Sequence, residues 1–80
     1  MTLIGRPGCH LCAQAREVVA RVGADLGVSW EERVITDDPA WVRDYRETIP
    51  VLLLDGRVHA ALRVDEVRLR DALLRSGDTG

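Results

Sequence analysis

Cys9 and Cys12 are the two residues of this 80-residue chain whose type and spacing combine into a reaction centre. Positions three apart on a helical turn bring their Cα atoms to ~5–6 Å, inside the ~4.4–6.8 Å that a disulfide tolerates. Dithiol and disulfide then interconvert with little backbone movement. Gly8 precedes Cys9, and a helical period begins directly after it, so Cys9 is expected at a helix N-terminus with Cys12 one turn inside. Unpaired N–H groups and the positive end of the helix dipole favour a thiolate there. Cys9 is therefore the expected nucleophile and Cys12, partly buried, the resolving thiol. Two cations stand close in sequence. His10, if protonated, adds charge beside the thiolate. Arg6 either does similar electrostatic work or holds a substrate carboxylate.

The competing use of such a pair is as metal ligands. Structural zinc wants four donors, and the chain offers only Cys9, Cys12, His10 and His59. His10 lies between the two cysteines, where completing a tetrahedron with them is awkward, so no intrachain metal is expected. A zinc or iron–sulfur site bridging two chains, with two thiolates from each, stays open, as does a redox sensor that records oxidation without turnover. His59 is expected at the surface. Trp30, Trp41 and Tyr45 are expected to pack in or beside the core.

Composition narrows the field. With 46% hydrophobic and 30% charged residues, the chain reads as one globular domain over residues 1–80, close to the lower limit for an unstapled core. All eleven cations other than histidine are arginines, against thirteen acids and a net charge of -2. They alternate with acids, as in Arg16-Glu17 and Arg43-Asp44, so no basic stripe forms and no nucleic-acid partner is expected. The Met1–Pro7 stretch lacks the apolar run of a signal peptide, and no run of ~18 apolar residues follows. A cytoplasmic location without membrane association is expected, and two closely spaced cysteines suit a reducing compartment.

The elements that must position the cysteines follow from periodicity. Thr2-Leu3-Ile4 reads as a strand, stopped by Gly5-Arg6-Pro7-Gly8. Leu11, Ala15, Val18, Val22 and Leu26 recur on one helical face, with Gly27 as the stop. Val28–Ile35 reads as a strand whose frame is uncertain, because Glu32 shares a face with Val28, Trp30 and Val34. Asp38 caps a short helix with Pro39 at its first position. Val51-Leu52-Leu53-Leu54 is an unbroken apolar run suited to a strand buried on both faces. Asp55-Gly56 signals a hairpin into Arg57–Leu62. A last helix starts at Asp65, turns Val67, Leu69, Ala72 and Leu73 inward and ends by Gly77, with residues 76–80 frayed. The implied order is β-α-β-α-β-β-α, an α/β fold with a four-stranded mixed sheet and helices on both faces.

Arg6-Pro7-Gly8-Cys9-His10-Leu11-Cys12, Asp38-Pro39, Thr48-Ile49-Pro50-Val51-Leu52 and Asp55-Gly56 together resemble the glutaredoxin-like family, and more narrowly its small bacterial branch with a Cys-His-Leu-Cys motif. The likeness runs from about Thr2 to Leu74. It implies a thioredoxin-like fold and thiol–disulfide exchange with protein or small-molecule disulfides, without a bound cofactor. It also implies a cis Pro50 against the cysteine pair, leaving the backbone of Ile49 free to meet a substrate strand, and places Arg6 where relatives contact glutathione. Two departures bear on the co-substrate. His10-Leu11 replaces the usual Pro-Tyr, and Ala60-Ala61-Leu62-Arg63 stands where relatives carry Gly-Gly, so added Cβ atoms obstruct glutathione. Recycling by glutathione and recycling by a separate reductase both remain expectations.

Overall fold

A computed structural model describes the backbone of residues 1–77. Strand β1 (Thr2–Gly5) leads through the Arg6–Gly8 turn into helix α1 (His10–Leu26), which Gly27 ends in the left-handed region at φ 68°. Strand β2 (Glu31–Val34) is shorter than the apolar pattern implied. A 3₁₀ turn over Ile35–Asp37 follows, then helix α2 (Pro39–Tyr45). Asp38 caps α2 as expected, its carboxylate accepting the Ala40 N–H at 2.8 Å, with Pro39 in the first turn. Strands β3 (Val51–Leu54) and β4 (Arg57–Ala61) form the hairpin. Asp55 and Gly56 take φ of 51° and 79°, the two positive values that a two-residue primed turn requires. Helix α3 covers Glu66–Gly77. It runs two residues into the stretch expected to fray, and the remainder of that stretch, residues 78–80, lies outside the described residues.

The sheet order is β2-β1-β3-β4, with β1 and β2 parallel and the other pairings antiparallel, which is the thioredoxin-like arrangement. One face packs Leu3 and Leu52 against Ala15, Val19 and Val22 of α1 and Leu69 of α3. The other packs Ile4, Val51 and Leu53 with Ile35 and Ile49 against Trp41, Val42 and Tyr45. Trp30 packs on the first cluster, so all three aromatic residues belong to the core and its margins. The apolar β3 run is buried from both sides, as its composition demanded.

The frame of β2 follows from its pairing. Leu3 lies opposite Glu32, so Glu32 faces α1, where Arg16 clasps it with Nε 2.9 Å from both carboxylate oxygens and Nη2 2.6 Å from one. Glu32 thus sits on the α1 side of an edge strand, still exposed to solvent and paired with Arg16.

Two helical faces differ from their expected phase. The buried residues of α1 are Cys12, Ala15, Val19, Val22 and Gly23, leaving Leu11, Val18 and Leu26 half-buried on its flank. Gly23 is buried where the chain turns out of α1: a Cβ there would stand 2.9 Å from the Val28 carbonyl oxygen and 3.2 Å from the Trp30 ring. On α3, Leu69 is fully buried, whereas Val67 is 76% exposed. Two residues turn a helix by ~200°, so Val67 and Leu69 cannot share a face.

Candidate functional site

The end of β1 and the start of α1 build the site. Cys9 is the residue before the first helical turn, with extended backbone (φ -84°, ψ 119°), and its Sγ accepts the Cys12 N–H at 3.3 Å. It thus fills the capping role usually taken by a serine or aspartate oxygen, at one of the helix's unpaired donors. Cys12 is 1% exposed, Cys9 is partly exposed, and both are free thiols.

The two sulfurs differ in acidity for reasons visible in this geometry. The Cys9 thiol is lowered first by its hydrogen bond with the Cys12 side chain. Burial acts against that, while the Cys12 N–H, the Arg6 guanidinium and the Leu11 N–H all favour the thiolate. Cys12 is pushed up, first by burial and then by its hydrogen bond to Cys9 and the nearby Cys9 charge. Of the two, the partly exposed sulfur of Cys9 ionises more readily and the buried sulfur of Cys12 holds its proton more firmly. Arg6 is exposed and acts on both sulfurs through its charge. His10 is exposed too, and its Nε2 pairs with Gln14 Nε2 at 3.4 Å, on the helix surface.

The Ile49–Pro50 bond is cis, and both residues are buried. Pairing of Ile4 with Val51 brings this segment to the cysteines: one step further, β1 reaches Gly5 and β3 is preceded by Pro50. Thr48 and Pro50 carbonyls both accept the Leu62 N–H, at 3.0 and 2.8 Å. The Ile49 N–H and carbonyl make no backbone hydrogen bond among the described residues.

Two residues that sequence reasoning overlooked complete the arrangement. Gly5 admits Cys12, because a Cβ there would meet Cys12 Sγ at 2.8 Å and Cβ at 3.2 Å. A glycine closing an apolar strand just before the cysteine motif was the available signal. Leu62 adopts φ 70°, a left-handed value uncommon for a branched apolar side chain, and no residue type announces that. His59, expected at the surface, is half-buried and lines a cleft beside β4. Among the described residues, no three His, Cys, Asp or Glu side chains are grouped to hold a metal ion, and no helix is long and apolar enough to cross a membrane.

Known proteins share this framework. A family model described as a glutaredoxin-like domain (DUF836) matches residues 1–74. Uncharacterized proteins of Mycobacterium tuberculosis and Mycobacterium bovis are 34% identical, the match covering 92% of this chain and 81% of theirs. The X-ray structure of a structural-genomics target protein, XcR50 from X. campestris, superposes with a TM-score of 0.72 at 35% identity, over 92% of this chain and 95% of that one.

Proposed function

The chain belongs to the glutaredoxin-like domain family, and from that premise we propose that it is a thiol–disulfide oxidoreductase in which Cys9 attacks and Cys12 resolves. One observation carries the reading: a partly exposed sulfur at a helix N-terminus that accepts the Cys12 N–H and is made more acidic by its neighbours, one turn from a buried thiol.

The cycle balances without a bound cofactor. Cys9 thiolate attacks one sulfur of a substrate disulfide; the second sulfur leaves as a thiolate and takes a proton from water, giving a mixed disulfide on Cys9. Once Cys9 is bonded, its negative charge and its hydrogen bond no longer hold the Cys12 proton in place. Cys12 then loses that proton, and its sulfur attacks Cys9 Sγ. The remaining substrate sulfur departs as a thiol, leaving Cys9 and Cys12 as a disulfide. Two electrons have passed to the substrate, and two glutathione molecules or one reductase dithiol return them. Ile49 and Pro50 are assigned the substrate backbone, and Arg6 the thiolate or a substrate carboxylate. His10, exposed beside Cys9, is assigned to the rim of the site.

The test is turnover of a disulfide-bonded peptide, coupled to glutathione and its reductase or to thioredoxin reductase. Cys9→Ser is expected to abolish it with either reductant, and Cys12→Ser to accumulate a mixed disulfide visible by intact mass. Full turnover by Cys9→Ser ends the proposal. The Cβ atoms of Ala60 and Ala61 favour turnover with thioredoxin reductase over glutathione.

A further inference from the structure

Six of the eleven arginines hold a carboxylate within 4.0 Å: Arg16, Arg21, Arg33, Arg43, Arg70 and Arg75. Arg63 and Arg68 hold none among the described residues, and both line the same cavity of about 390 Å³ between β4 and the start of α3. The acid in that cavity, Asp65, is engaged with the helix, its Oδ1 accepting the Arg68 N–H at 3.1 Å. In a chain of net charge -2 that pairs most of its cations, two guanidiniums left facing one cleft form a local excess of positive charge.

Arg63 also lines a second, smaller cavity of about 150 Å³, whose apolar walls include Leu11, Val18, Leu62 and Val64. Leu11 lies between the two cysteines in the first turn of α1. The apolar groove, whose wall includes this neighbour of Cys12, and the cationic cleft meet at Arg63. Leu62 is 47% exposed at the groove's edge and is held there at φ 70° by its N–H bonds to the Thr48 and Pro50 carbonyls. The left-handed φ costs stability, and the Thr48 and Pro50 carbonyls hold it, so Leu62 keeps a fixed place on the rim of the groove.

We propose that this groove and cleft form a docking surface for an acidic protein segment, with an apolar residue beside the segment's cysteine entering between Leu11 and Leu62 and its carboxylates reaching Arg63 and Arg68. The inference rests on the thiol-exchange reading for which atoms react, and it adds the chemistry of the partner. Charge complementarity selects the occupant: carboxylates satisfy both arginines, whereas a neutral or basic segment leaves them unpaired.

The test uses two eight-residue peptides with Leu next to Cys, followed by three Asp in one and three Asn in the other. Calorimetric binding is measured on the Cys→Ser forms of the peptides, and turnover on their mixed disulfides with 2-mercaptoethanol. The Asp peptide is expected to bind about fivefold tighter at low salt, the scale of two or three partly exposed ion pairs. Its KM should fall by a similar factor with kcat little changed. In R63Q/R68Q the Asp-to-Asn ratio is expected to collapse to about one. Equal binding of the two peptides by the native chain, or a ratio that survives R63Q/R68Q, overturns the docking surface even if both peptides turn over. Preferential binding without turnover retains the surface and removes the redox reading instead.

Discussion

Replacing Gly5 by alanine places a Cβ 2.8 Å from Cys12 Sγ and 3.2 Å from its Cβ. Neither neighbour can swing aside, since Cys12 is buried and its side chain is only two atoms long. The Gly5 φ is not left-handed, so the backbone itself accepts alanine. Two effects then compete. Alanine reduces the freedom of the unfolded chain, which stabilises by ~0.4–1 kcal/mol. Overpacking at a sealed contact costs ~1–3 kcal/mol. The contact wins, for a net loss of about 1–2 kcal/mol, and each kcal/mol lowers Tm by ~4–8 °C in a domain of this size. Urea unfolding of Gly5→Ala, Cys12→Ala and the double variant, all fully reduced, isolates the cause. Removing Sγ in Cys12→Ala takes away the 2.8 Å contact, so the Gly5→Ala penalty should shrink by about 1–2 kcal/mol as a coupling between touching sites. If Gly5→Ala costs the same in both backgrounds, the sulfur contact is not what glycine serves at this position.

The acidity of Cys9 gives a second prediction. Because its thiol is lowered, the iodoacetamide rate at Cys9 should reach half its maximum below the pH of an ordinary free thiol. Cys12→Ala, which removes the leading cause, should move that midpoint up more than Arg6→Gln, which removes a weaker Coulombic influence. A larger shift from Arg6→Gln would contradict the assignment of causes. A third prediction concerns the ion pairs that tie α1 to α3, in which Glu66 receives Arg21 at 2.7 Å and Arg70 at 2.8 Å, and Arg70 also reaches Asp25 at 2.6 Å. Glu66→Gln should lower Tm at low salt, with the difference narrowing in 1 M NaCl as screening weakens the pairs in the native chain. A salt-independent difference would assign the loss to packing.

The sequence by itself determined the order of the elements and the placing of the cysteine pair at a helix start, because both are local. A Gly-Cys turn entering a helical period, an Asp-Pro helix start, an Asp-Gly hairpin and an unbroken Val51–Leu54 run each carry their structure within a few residues. The cysteine spacing likewise carried its own geometry. Tertiary structure alone decided the helical phases, since α1 buries the face that meets Leu3, Leu52 and Leu69, partners brought to it from β1, β3 and α3. It also resolved the frame of β2, in which Glu32 lies on the α1 side of an exposed edge strand beside Arg16. The left-handed Leu62 and the convergence of Arg63 and Arg68 on one cleft depend on β4 folding back over the Thr48–Pro50 segment, a contact that no periodicity encodes. Cys9 and Cys12 are legible as a pair from their spacing in the sequence; the proposed docking surface is assembled from α1, the β4–α3 loop and the first turn of α3, and exists only when the chain is folded.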